Sequence, residues 1–275
     1  MKLPLILLAV LALLAVLWML AIRPRRRCPE ALKELARHRY AHRGFHDDSL
    51  PENSLGAFHA AVAHGFGAEL DVHLTRDGQL AVMHDESLQR MCGEDMLLCN
   101  LTAPELKRFR LAGTDERIPF LEEVLPIFAG RQPLVIELKT HAGNATRLCQ
   151  TVMQQLDRYS GLYCIESFDP RVVLWFRRHR PEIVRGQLSA NFTRSGDKLN
   201  PVLRFALHNL LTNFLTLPDF IAFRFEDRND RSITLLRRLY GPQEFYWTLR
   251  APEQQRQAEA AGGAIIFEGF DPSRT

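Results

Sequence analysis

No acidic side chain occurs before Glu30 in this 275-residue chain. Cysteine is scarce and unpatterned. Cys28, Cys92, Cys99, Cys149 and Cys164 are odd in number and never in C-x-x-C spacing, which argues against a disulfide framework and against a cysteine zinc site. With 16 glycines and 15 prolines the chain is neither collagen-like nor of low complexity. A strong excess of one charge is also missing, since 35 Lys and Arg face 32 Asp and Glu for a net +3. Five of the basic residues (Lys2, Arg23, Arg25, Arg26 and Arg27) lie in the first 27 positions, so the remainder carries 30 basic against 32 acidic side chains. That remainder is slightly negative and shows no basic patch interleaved with aromatics, which excludes nucleic acid as a partner. Arg177, Arg178 and Arg180 read as a solvated helix end. Hydrophobic residues at 46% and charged residues at 24% are in globular proportion and exclude global disorder.

The early basic excess has a local explanation. Residues 3–22 form a twenty-residue run without a charge, and as a helix this run spans about 30 Å, the thickness of a bilayer's hydrocarbon core. Pro4 sits where a first helical turn tolerates it, and Trp18 sits near the far end, a common place for an interfacial aromatic. The run is longer than a signal-peptide core, only Lys2 precedes it, and no A-x-A site follows. An uncleaved single-pass anchor is therefore expected, with a cleaved export signal as the alternative. Four arginines after the run against Lys2 before it place the C-terminal side in the cytoplasm. Residues 1–27 then form the anchor and its basic flank. Residues 28–275 form one further domain, close to the ~250 residues of a single α/β barrel.

Beyond residue 27, short apolar segments alternate with helical stretches. Strands are expected at 39–42, 68–72, 80–84, 134–138, 162–166, 184–188, 220–223, 245–249 and 264–267. Helices are expected at 29–38, 54–64, 102–108, 121–128, 144–159, 170–178, 203–216, 232–239 and 252–261. Asn53-Ser54 and Asp169-Pro170 have the chemistry of helix starts. This alternation implies a parallel sheet closed into a (β/α)8 TIM barrel, in which nine candidate strands compete for eight staves.

Barrel chemistry sits at the C-terminal ends of the strands. There the sequence reads His42-Arg43-Gly44, Glu69-Leu70-Asp71, His84-Asp85, Glu137-Leu138-Lys139 and Glu166-Ser167-Phe168-Asp169. Residues two apart share a strand face, so Glu69 pairs with Asp71 and Glu137 with Lys139, pointing inward at the mouth. Three converging carboxylates repel one another unless a cation joins them, and oxygen-only ligands favour Mg²⁺ or Ca²⁺. His42 and His84 are then free to move protons, and Arg43 and Lys139 to bind an anion.

These residues resemble the glycerophosphodiester phosphodiesterase family over about residues 40–272. The elements H-R-G, P-E-N-S, E-x-D, T-x-D-G and H-D-x-x-L-x-R follow one another in the family's order. IPFLEEVL, VIELK, SFDPRVVLWFRRHRPEI and FYWTLR extend the match. The resemblance implies a PLC-like phosphodiesterase barrel that uses one divalent cation, Mg²⁺ or Ca²⁺. Glu69, Asp71 and Glu137 match its metal ligands, and His42 and His84 its general acid and base. Arg43 and Lys139 match its phosphate contacts. Glu52 and Asn53 support the site, and Trp247 lines the substrate cleft. The implied reaction cleaves a glycerophosphodiester to glycerol 3-phosphate and an alcohol. The attacking oxygen is either a water at the cation or the neighbouring glycerol hydroxyl, and the two histidine roles stay unassigned between acid and base.

Two alternatives follow from the same residues: a membrane-associated lysophospholipase D, or a non-catalytic binding module on the same barrel. The ending FEGFDP departs from the family's T-D-x-P, and too little chain follows for a closing helix, so helix 29–38 is expected to cover that end. Residues 190–217 match poorly and read as a core helix or as a lid facing lipid.

Overall fold

The computed structural model describes residues 2–26, 28–192 and 200–274. Arg27 of the expected basic flank and positions 193–199 of the poorly matched stretch lie outside the described residues. In chain order the elements are α1 (Lys2–Ala21), α2 (Glu30–Leu35), β1 (Arg39–His42), α3 (Leu55–Ala63), β2 (Gly67–Leu74), β3 (Leu80–Val82), α4 (Gln89–Cys92), α5 (Ala103–Leu106), α6 (Leu121–Phe128), β4 (Leu134–Leu138) and α7 (Ala145–Leu156). There follow β5 (Tyr163–Ser167), α8 (Pro170–His179), β6 (Arg185–Ser189), α9 (Pro201–His208), α10 (Asn213–Thr216), β7 (Phe220–Arg224), α11 (Arg231–Tyr240), β8 (Gln243–Leu249), α12 (Pro252–Ala260) and β9 (Ala264–Phe267).

Eight strands pair in parallel in the order β1, β2, β4, β5, β6, β7, β8, β9, and β9 returns to β1, closing the barrel. The ninth, β3, is not a stave. It pairs antiparallel with the far end of β2, Val72 facing Val82 and Leu74 facing Leu80. The expected 80–84 strand therefore ends at Val82, and His84 reaches the mouth on a hairpin return rather than at a barrel-strand terminus. The turn explains this. Thr75 Oγ1 donates to Asp77 and accepts from the Gln79 amide, and Gly78 takes φ +84°, a backbone conformation that glycine adopts without steric cost.

Alternation along each strand sorts the two faces. Ala41, Ala68, Leu70, Leu134, Ile136, Ile165, Ile265 and Phe267 pack outward against helices. Tyr40, Val135, Cys164, Val184, Phe220, Phe245 and Ile266 fill the interior with Leu32 and Leu35 of α2. Gly186 is required here, because a Cβ would stand 2.2 Å from the Phe220 ring. The short α2 thus plugs the bottom of the barrel, and the buried Tyr40 hydroxyl donates to Leu35 O at 2.8 Å. After β9 no helix of two turns follows among the described residues. Its outer face is covered instead by Phe45, Phe66 and Phe270 around Phe267. The plug makes a testable claim: Leu35→Ala is expected to cost about 2–5 kcal/mol of stability, as for a buried leucine that leaves a cavity. A denaturant midpoint unchanged by this substitution would contradict it.

Two other expectations are corrected. The 203–216 helix is two helices, α9 and α10, broken where Leu210 adopts φ +57°. Helix 144–159 is shorter, Ala145–Leu156. The arginine cluster stands at the surface end of α8, with Arg178 exposed, Arg177 donating to the carbonyls of Phe214 and Leu215, and Arg180 paired with Asp157 and Glu182. All five cysteines are free thiols.

The stretch Leu3–Ala21 has a mean hydropathy of 2.9 and is long and apolar enough to cross a membrane, and a signal sequence passes the same test. Its side chains are exposed, Leu3 by 79% and Leu8 by 65%. Toward its end Trp18 and Met19 become half-buried while Leu20 stays exposed, and Ile22, just beyond the helix, is buried with Leu210, Ile221, Phe223, Ile233 and Leu236, its carbonyl accepting from Asn213 Nδ2 at 3.1 Å.

Candidate active site

The sequence builds the mouth through two left-handed residues. Arg43 and Asn53 both have φ +57°, and the Asn53 amide donates to Arg43 O at 2.8 Å. This folds the P-E-N turn back over the end of β1. Asn53 Nδ2 then donates to Asp71 Oδ2 at 2.9 Å, and the Arg43 amide to Glu69 Oε2 at 3.2 Å. Ser54 caps α3 by accepting from the Ala57 amide, so the turn is held at both ends.

Register does the rest. His42 lies beside Glu69, and Asp71 beside Glu137, which lies beside Glu166. One carboxylate oxygen from each of Glu69, Asp71 and Glu137 lies within 4.8 Å of the others, and all three residues are buried. Lys139 Nζ sits between two of them, 3.0 Å from Asp71 Oδ1 and 2.8 Å from Glu137 Oε2. Arg43 Nε is 3.5 Å from Asp71 Oδ2, and its Nη1 donates to Glu52 Oε1 at 2.8 Å.

Burial disfavours charge throughout this cluster. It pushes Glu69 well above the usual carboxylate range, reinforced by Asp71 and Glu137, and it lifts Glu137 to about 7 although Lys139 opposes it. Burial acts on Asp71 too, but Lys139, His84 and Arg43 outweigh it and hold that carboxyl well below its ordinary value. Both imidazoles are depressed by burial, His84 to about 4, so each is neutral at neutral pH. Each also has a carboxylate on Nδ1, Glu268 at 2.6 Å for His42 and Asp85 at 2.7 Å for His84. A neutral ring that donates from Nδ1 to a carboxylate presents its other nitrogen as an acceptor.

The barrel and its mouth account for a broad match: a model of the Glycerophosphoryl diester phosphodiesterase family covers residues 42–268. The chain belongs to this family. It is a phosphodiester hydrolase. It is 34% identical over 169 residues to a glycerophosphodiester phosphodiesterase of Bacillus altitudinis, across 58% of this chain and 69% of that one. A lysophospholipase D of Rattus norvegicus is 36% identical over 138 residues, 46% of this chain and 42% of that one. A phosphodiesterase of Oleispira antarctica, solved with its product sn-glycerol-3-phosphate, has the same fold with a TM-score of 0.72 at 20% identity, over 88% of this chain and 96% of that one.

The phosphodiesterase mouth fits a divalent cation. Four buried carboxyls (Glu69, Asp71, Glu137 and Glu166) face two cationic side chains, Arg43 and Lys139. The donors are all hard oxygens, as Mg²⁺ or Ca²⁺ requires. A second group with mixed donors, Glu86, Cys99 and His141, is half-exposed, and burial, then Glu86, pushes the Cys99 thiol up, away from the thiolate a metal needs.

Every site residue expected from the sequence lies at this mouth or in the turn behind it, and the structure adds four partners. Glu268 orients His42, and its carboxyl is drawn down to about 2 by that bond. Arg90 clamps Glu52 with two nitrogens, at 2.9 and 2.7 Å, and donates to Asp85 at 2.5 Å, linking the P-E-N turn to His84. Phe168 packs edge-on against both Trp247 and Phe192. Arg90 was visible as the last residue of the H-D-x-x-L-x-R element. Glu268 had only one signal, its place two residues beyond the inward Ile266.

Proposed function

We propose that this phosphodiesterase hydrolyses glycerophosphodiesters to glycerol 3-phosphate and an alcohol. One divalent cation is held by Glu69, Asp71 and Glu137, and proton transfers run through His42 and His84. The observation that carries the reading is the meeting of three buried carboxylates with two imidazoles that are each aligned by a carboxylate. When bound, the cation supplies Lewis-acid polarisation of the phosphoryl oxygens. Arg43 and Lys139 bind the phosphate and offset charge that develops on it. One imidazole, through its nitrogen remote from Glu268 or Asp85, takes a proton from the attacking oxygen of water or of the neighbouring glycerol hydroxyl, and the other gives one to the leaving alkoxide; where the glycerol hydroxyl attacks, water then opens the cyclic phosphate to glycerol 3-phosphate. An arriving phosphate anion favours the protonated imidazole, opposing the effect of burial. Glu52, Asn53 and Arg90 hold Arg43, Asp71 and Asp85 in place.

The N-terminal helix is proposed as an uncleaved anchor, with the barrel as one domain on the cytoplasmic side. The burial of Ile22 and the Arg25–Asp219 ion pair at 3.0 Å support retention, since cleavage would strip contacts the barrel makes. A second reading, cleavage of lysophospholipids, is favoured by the aromatic row Trp247, Phe168 and Phe192, which gives the mouth an apolar wall.

One comparison separates the two: turnover of glycerophosphocholine against lysophosphatidylcholine by the full chain in vesicles. A kcat/KM at least about ten-fold higher for the water-soluble diester, a preference of about 1.4 kcal/mol, supports the first reading. The reverse preference supports the second. Inertness toward both would overturn the proposed activity.

A further inference from the structure

The last turn of α1 and Ile22 just beyond it touch three elements. Trp18 packs edge-on against Phe205 of α9 at 5.7 Å, Asn213 of α10 donates to Ile22 O, and Tyr240 of α11 donates to Met19 O at 2.6 Å. The same three elements carry Val202, Leu203, Phe205, Phe214, Leu215 and Leu239. Outside α1 and among the described residues, the only other exposed large apolar side chains are Met96 and Leu97.

The arrangement in α9 is inverted. Helical spacing puts Val202, Leu203, Phe205 and Ala206 on one side and Arg204 and His208 on the other. The apolar side faces outward, with Val202 exposed by 78% and Phe205 by 53%. The other side, which also carries the buried Leu207, faces the barrel, where His208 contacts Ala190 O and Asp230. Of the two readings of this stretch, a core helix or a lid facing lipid, α9 departs from the first, since Val202, Leu203 and Phe205 point away from the core. Arg23, next in sequence to Ile22, and Arg238, next to Leu239, are exposed, as is Arg26, an arrangement that suits anionic headgroups.

We propose that the outer faces of α9 and α10, with Leu239, form a platform seated in the bilayer that α1 enters, so that the β6–β7 flank of the barrel rests on the membrane. This rests on the anchor proposed above. The platform is continuous with the mouth. Ser189 at the end of β6 donates to Leu207 O of α9, and Phe192, three residues beyond Ser189, meets Phe168 beside Trp247. A substrate with an acyl chain could then pass from lipid to the carboxylate cluster along an aromatic wall.

The test is photolabelling of the full chain in phosphatidylcholine–phosphatidylglycerol vesicles that contain a phospholipid with a diazirine in its acyl chain. Label is expected on peptides of α9 and α10 as well as on α1. In a Val202→Asp, Phe205→Asp double variant the α9 label should fall by roughly ten-fold or more, while α1 labelling and glycerophosphocholine turnover hold. Label confined to α1 would overturn the platform and leave the anchor standing. Absence of label from both would overturn the two together. Cross-links between copies through α9, without lipid label, would assign the patch to a second chain and also overturn the proposal. The labelling readouts do not depend on which diester the enzyme prefers.

Discussion

Alanine at His42 or at His84 is expected to lower glycerophosphodiester turnover by about 10²–10⁴-fold each, the usual worth of a positioned proton transfer. The loss should appear in kcat rather than KM, because the imidazoles act on the proton and not on the phosphate charge. The fold should survive both changes. Without His42, Glu268 keeps Arg250 at 3.1 Å; without His84, Asp85 keeps Arg90 at 2.5 Å. Neither substitution leaves a carboxylate without a cationic partner, the situation that makes broken buried pairs costly. The double variant should fall little further than the worse single variant, since acid and base serve one reaction coordinate. Glu268→Gln and Asp85→Asn keep the hydrogen-bonding shape but lose the charge that fixes the imidazole tautomer, so smaller losses are expected. Full activity of either alanine variant in a steady-state assay would remove that histidine from the mechanism.

Chelation is expected to abolish activity, and added Mg²⁺ or Ca²⁺ to restore it. The stronger form of this prediction concerns stability. In the metal-free chain Glu69 is a buried carboxyl pushed well above its ordinary value by burial and by its acidic neighbours. An acid whose folded pKa is raised detracts from stability once the pH exceeds its unfolded value. Glu69→Gln should therefore stabilise the metal-free protein. A saturating cation reverses the comparison. It stabilises the parent by about 2.7 kcal/mol at a hundredfold excess over Kd, and the variant, short of an anionic ligand, should gain much less. Thermal melts of parent and variant, each with and without Mg²⁺ or Ca²⁺, should cross in this way. Parallel shifts, or an enzyme indifferent to chelator, would sink the three-carboxylate site.

Much of this molecule was legible in one dimension. The period of two along β2 and β4 was enough to pair Glu69 with Asp71 and Glu137 with Lys139 on one face, because alternation is a property of the strand alone. The Asp169-Pro170 start of α8 was readable for the same reason: Asp169 accepts from the Arg171 amide two residues away. The twenty-residue apolar run was likewise readable from length and composition. Three features required the tertiary structure, each because the partner is remote. Residues 80–82 have the pattern of a stave, and only the pairing with β2 makes them a hairpin arm, although the Asp77-Gly78 turn was a signal in that direction. Glu268 becomes the partner of His42 across 226 residues of chain, only when β9 closes on β1. Residues 190–217 read equally as a core helix or as a lid facing lipid, because composition is blind to what an apolar side chain faces. The tertiary structure turned Val202, Leu203 and Phe205 of α9 outward, beside the N-terminal helix.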